Sequence, residues 1–177
     1  MAIGIVCEYN PFHKGHEYHI SKAKELTGAD NTVVIMSGNF VQRGTPAFMD
    51  KHTRASIALN HGADLVLELP LPFSCSSAEY FALAAVSLLH RTGVVDYICF
   101  GAETDNLSLL EEIASILVNA KIDDAHPLNI LIKENLKTGL SYATSRAFAL
   151  CELCNNEDIN TIIEQPNNIL AIEYLKA

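Results

Sequence analysis

The stretch Gly4-Ile5-Val6-Cys7-Glu8-Tyr9-Asn10-Pro11-Phe12-His13-Lys14-Gly15-His16 runs from an apolar segment through a turn into the start of a helix. Its first part reads as a buried strand, Asn10-Pro11 is a turn-starting pair, and His-x-Gly-His opens the helix. A helix N-terminus gathers unpaired N–H groups and the positive end of the helix dipole, so it favours anions. His13 and His16, three apart, share one face of a first helical turn. Gly15 between them lets backbone come close to a ligand. Together they form a cradle for nucleotide phosphates, able to stabilise charge as it moves onto leaving pyrophosphate. The plain alternative is two surface histidines at an ordinary helix start. The preceding strand, the Asn-Pro pair and the embedded glycine weigh against it.

Outward from this segment the first half alternates strand and helix. Residues 3–8 read as a first strand and 16–26 as a helix stopped by Gly28. Residues 32–36 form a second strand, closed by Ser37-Gly38 and followed by a polar loop from Asn39 to Pro46. Asp50 caps a helix through Asn60, which Gly62 ends. Residues 65–69 form a third strand, ended by Pro70 and Pro72. Ser76 or Ser77 caps a helix through Leu89, Gly93 stops it, and residues 94–100 form a fourth strand ending at Gly101. Helical patterns then take over, at 107–118, 128–136, 142–154 and 168–175. The strands are continuous apolar runs, as expected of a parallel sheet covered on both faces. The expected fold is therefore α/β: a Rossmann-like, doubly wound parallel sheet with extra helices toward the C-terminus.

Composition agrees with a globular chain: 177 residues, 49% hydrophobic and 19% charged. One nucleotide-binding catalytic domain over 1–177 is the simplest division. No apolar run reaches the ~18 residues that cross a bilayer. Met1-Ala2-Ile3-Gly4 has no basic n-region, so the expectation is a cytoplasmic protein with no membrane partner. The five cysteines are scattered, mostly in apolar stretches, which favours reduced thiols over disulfides. Cys151-x-x-Cys154 lies in a helical pattern with no second ligand pair at zinc spacing. The net charge of −9 is uneven: residues 1–60 balance at +1 and residues 61–177 at −10. This is no basic footprint for a polynucleotide, so most of any RNA grip must come from elsewhere.

Tyr9-Asn10-Pro11-Phe12-His13-Lys14-Gly15-His16 resembles the Phe-Asp-Pro-x-His-x-Gly-His signature of the nucleotidylyltransferases, departing at Asn10, where many members carry Asp. Beyond the motif, Met36-Ser37-Gly38-Asn39-Phe40-Val41-Gln42-Arg43-Gly44, the 64–70 and 77–89 segments, Phe100-Gly101-Ala102-Glu103 and the 166–175 segment resemble the bacterial tRNA(Met) cytidine acetate ligase family. The match runs in order over nearly the whole chain and corresponds to the N-terminal catalytic part of longer proteins. The resemblance implies a ligase that activates acetate with ATP and transfers acetyl to N4 of the wobble cytidine of elongator tRNA(Met). It implies ATP binding along Ile5, Val6, Cys7, Glu8, Tyr9, Asn10, Pro11, Phe12, His13, Lys14, Gly15, His16, Glu17 and Tyr18, with further contacts at Gly101 and Asn168. A further ATP-binding arginine of the family falls beyond Ala177.

Some residues support this reading without the family. Gly101 ends the fourth strand, at the carboxyl edge where open α/β sheets bind ligands. His13 and His16 are the candidate catalytic groups, as ligands of phosphate and of the transition state, and no Ser or Cys nucleophile is required. Mg²⁺ would be held mainly by the phosphates, with few protein ligands. Arg43 has the chemistry to meet phosphate, an acyl-adenylate or RNA, or to stand solvated in its loop. Lys14 either meets phosphate or is exposed. Glu103 and Asp105 place ribose or Mg²⁺, or Asp105 or Asn106 caps the next helix. Two other functions stay open: an adenylyltransferase for a phosphorylated small molecule, and an inactive nucleotide-binding fragment.

Overall fold

The computed structural model describes residues Met1–Ala177. Four strands, β1 (Ala2–Cys7), β2 (Asn31–Ser37), β3 (Leu65–Leu69) and β4 (Tyr97–Cys99), form one sheet in the order β3-β2-β1-β4. All pairings are parallel, with Ile5 opposite Val34 on one side and Cys99 on the other. The helices between them are α1 (Lys14–Thr27), α2 (Lys51–Asn60), the short α3 (Leu71–Ser74) and α4 (Ala78–Arg91). The chain steps outward from β1 through β2 to β3, then returns to lay β4 against the other side of β1. That reversal is the topological switch point at which doubly wound sheets bind ligands.

Side chains alternate between the two sheet faces. Ile3 and Ile5 of β1 and Val34 and Met36 of β2 pack with Ile20 and Ala23 of α1 and Ala58 of α2. On the other face Gly4 meets α4 so closely that a Cβ there would lie 2.7 Å from Leu89 Cδ1. Both faces are thus covered, which is why the strands read as unbroken apolar runs.

Most local signals act as expected. Gly28 closes α1 in the left-handed region at φ 65°, and Asp50 caps α2 by accepting from the N–H groups of His52 and Thr53. Ser77 stands at the N-cap of α4, but its hydroxyl makes no capping bond. The fourth strand is shorter than its apolar run. Residues 94–96 lie outside it, and the Asp96 carboxylate accepts from Ala2 N at 2.8 Å and pins the start of β1.

Contacts gather in two compact units, Met1–Phe100 and Gly101–Ala177. The second is helical: α5 (Leu107–Ile122), α6 (Pro127–Lys137), α7 (Tyr142–Leu153), the short α8 (Ile159–Ile162) and α9 (Pro166–Lys176). Within it α5 packs on α9 and α6 on α7. Asn106, not Asp105, caps α5, its side-chain oxygen accepting from Leu109 N.

Candidate functional site

Beyond Cys7 the chain turns sharply. Tyr9 adopts φ 46°, rare for a non-glycine residue, and buries its ring (1% exposed) between Phe12 and His16, with centroids 4.8 and 4.9 Å away. The Asn10–Pro11 peptide is cis. The turn delivers His13 to the N-cap of α1 in extended conformation, φ −146° and ψ 172°.

The two motif histidines cap this helix reciprocally. Gly15 N donates to His13 Nδ1 (3.1 Å), and His13 N donates to His16 Nδ1 (3.3 Å). This is the logic of a capping box, built from imidazoles in place of Ser and Glu. The rings stack, with centroids 3.7 Å apart and planes 20° apart. Each Nδ1 accepts, so each neutral ring carries its proton on Nε2 and can donate it outward. Burial pushes the His16 pKa down to about 4, with the His13 and His19 rings adding to the effect. At neutral pH His16 is therefore a neutral donor. The amides expected to lie open for phosphate are largely used inside the turn: His13 takes Gly15 N on its ring and His16 N and Glu17 N on its carbonyl. What remains for an anion is the Lys14 amide, the helix dipole and two Nε2–H groups.

Gly15 is needed for this arrangement, since a Cβ there would lie 3.0 Å from His13 Cε1 and Nδ1. Asn10 accepts from Phe48 N through Oδ1 at 2.6 Å. It holds the loop after β2 against the motif and offers an amide donor where Asp would bring a negative charge. Glu8 acts in parallel, its Oε1 accepting from Gln42 N at 2.7 Å. That loop folds on itself through Val41 N to Thr45 O and Ala47 N to Asn39 O, and leaves Arg43 and Phe48 exposed.

The candidates along residues 5–18 divide by burial. Ile5 and Tyr9 are core side chains, so nothing of theirs but backbone is open to a nucleotide. Pro11, His13, Lys14, Gly15, Glu17 and Tyr18 are exposed, and Val6, Cys7, Glu8, Asn10, Phe12 and His16 are half-buried. Glu17 meets His61 Nδ1 at 3.1 Å and ties α1 to the end of α2.

In the helical unit Gly101 is exposed; its φ does not demand glycine, and a Cβ there would meet nothing within 4 Å. The fold itself gives no reason for glycine at this position. The Asn168 side chain is engaged within the helical unit. It is 1% exposed, and Oδ1 accepts from Glu103 N (2.8 Å) and Thr104 N (3.1 Å) while Nδ2 donates to Ile162 O (3.1 Å). Glu103 answers through its carboxylate, which accepts from Asn167 N and Asn168 N. Asn168 thus holds the loop after Gly101 in shape.

Sequence reasoning missed two residues of the first unit. His19 continues the 13–16 spacing one turn on and reaches Cys99 Sγ at 3.4 Å; burial lowers its pKa and raises that of the thiol. Arg54 is fully buried. The signal for both was spacing: His19 by its three-residue step, Arg54 by sharing a helix face with buried Ala58.

The model of the HIGH nucleotidyl transferase family matches residues 1–177. The chain belongs to the HIGH nucleotidyl transferase family. Among similar proteins, the tRNA(Met) cytidine acetate ligase of Clostridium novyi is 51% identical over 98% of this chain and 43% of its own length. That of Acetivibrio thermocellus is 49% identical over 99% and 42%. The chain thus spans less than half the length of these curated relatives. Among solved structures, Thermotoga maritima TmcAL bound with alpha-thio ATP aligns with a TM-score of 0.91 and 42% identity, over 99% of this chain and 42% of that one.

Proposed function

We propose that this chain is the ATP-binding, acetate-activating part of a tRNA(Met) cytidine acetate ligase. The observation that carries the reading is the reciprocal His13–His16 cap at the carboxyl end of β1, which aims two imidazole N–H donors from a helix N-terminus. The names of the relatives supply the substrates, and the ATP analogue bound to the Thermotoga protein supports the nucleotide.

In this reading an acetate oxygen attacks the α-phosphorus of ATP and pyrophosphate leaves. The acetyl-adenylate then acylates N4 of the tRNA cytidine, releasing AMP. His13 and His16 donate from Nε2 to phosphate oxygens and stabilise the charge that collects on pyrophosphate. The backbone from Ile5 to Tyr9 and the side chains from Asn10 to Tyr18 line the nucleotide. Gly101 and Asn168 belong to the same proposal as further nucleotide contacts. No group of three or more His, Cys, Asp or Glu side chains converges as a metal site. A Mg²⁺ would be carried by the triphosphate, with phosphate oxygens as its main ligands. The expected place of action is the cytoplasm.

Acetate-dependent exchange of labelled pyrophosphate into ATP tests the proposal. Exchange that requires acetate is the expected result. ATP turnover only with a phosphorylated small-molecule acceptor would overturn it in favour of an adenylyltransferase, and ATP binding with no adenylate formed would mark a binding module.

A further inference from the structure

Arg54 is the one fully buried side chain with a permanent formal charge. Its Nε donates to Met49 O at 3.1 Å, its Nη1 to Glu8 O and its Nη2 to Gly38 O. Burying a guanidinium is costly unless its donors are well matched. Here three donors of one rigid fork meet three carbonyls from three separate segments. Glu8 follows β1 and leads into the His13 turn. Gly38 follows β2 and opens the 39–48 loop. Met49 precedes Asp50, the cap of α2.

Two of these segments are tied a second time from the outside. Gln42 N donates to Glu8 Oε1, and Phe48 N to Asn10 Oδ1. The motif turn and the 39–48 loop are thus linked by two peripheral bonds and one buried guanidinium. Neutral donors would satisfy the same carbonyls, but no other side chain spans three of them with a planar fork.

We propose that Arg54 is a positioning residue of the nucleotide site: it clamps the carboxyl ends of β1 and β2 to the entry of α2, so that the His13–His16 cap and the 39–48 loop keep one register on the bound triphosphate. This rests on the reading that the cap meets triphosphate. Arg54 touches no reacting atom; it acts through Glu8, Gly38 and the segments they begin.

Arg54→Lys keeps the charge and the stem but not the fork. The test compares it with wild type at a temperature where circular dichroism shows both folded. Binding of a non-hydrolysable ATP analogue is read by calorimetry, and kcat and KM for ATP by acetate-dependent pyrophosphate exchange. The expected result is a folded variant with kcat down ~10²-fold, the loss that a displacement of about 1 Å causes at a reacting centre, and analogue affinity down roughly tenfold. A variant within about twofold of wild type in both would overturn the inference, because a purely structural role costs melting temperature and leaves the kinetics of the folded fraction alone. Hydrogen exchange on wild type is a second measurement, valid even if every Arg54 variant fails to fold. The analogue should protect residues 9–17 and 39–50 together; protection confined to 9–17 would equally overturn the coupling. Failure of wild type to bind the analogue would instead sink the nucleotide reading beneath it.

Discussion

His13 and His16 hold each other in place: each Nδ1 accepts a backbone N–H of the turn the other begins or ends, and their rings stack at 3.7 Å. One arrangement therefore serves two purposes, closing the helix N-terminus and fixing which imidazole nitrogen faces outward. Stability and catalysis can be separated by substitution. His13→Asn keeps a side-chain oxygen able to cap α1 but removes the Nε2 donor. We expect its melting temperature to stay near wild type while turnover falls by ~10²-fold. His16→Ala should lose at least as much turnover. Near-normal kinetics in either variant would remove that histidine from the mechanism.

The depressed pKa of His16 makes a prediction about acid. Its folded-state value of about 4 lies below the ordinary 6.5, so the unfolded chain takes up this proton first. The stability contributed by neutral His16 is complete above pH 6.5, drains as the pH falls from 6.5 toward 4, and changes no further below that. NMR titration of the imidazole carbons should show His16 still neutral at pH 6, and His16→Gln should flatten part of the acid slope of thermal stability. A His16 midpoint near 6.5 would contradict the burial that sets it.

Asn168 is expected to govern the stability of the helical unit. Asn168→Leu leaves Glu103 N and Thr104 N without their acceptor, a cost of about 1–3 kcal/mol for two partly buried amides. Asn168→Asp keeps the acceptor but turns a carboxylate oxygen toward Ile162 O, and should be destabilised as well. Chemical denaturation followed by helix circular dichroism measures both. Full stability in Asn168→Leu would show that the loop finds other partners.

The charge distribution predicts weak RNA binding by these 177 residues alone. The balance of −10 over residues 61–177 repels a polyanion, and the +1 balance before it offers little counterweight. A gel-shift or filter assay should find tRNA binding that is poor even at low salt. Tight, strongly salt-dependent binding would contradict this.

The sequence by itself determined the elements whose causes are local. Apolar runs marked β1, β2 and β3, Gly28 marked the end of α1, and Asp50 marked the start of α2. The Asn10–His16 motif showed where anion chemistry would sit, because the strand, turn and helix start that shape it lie within a dozen residues. Tertiary structure decided what depends on distant partners. Whether the first-turn amides are open or spent turned on how two rings pack above Tyr9. Arg54 is buried because carbonyls 5, 16 and 46 residues away converge on it. Asn168 became a scaffold residue because amides 64 and 65 positions earlier meet its oxygen. Such convergence is set by the register of the packed segments, and neither spacing nor composition along the chain encodes it legibly.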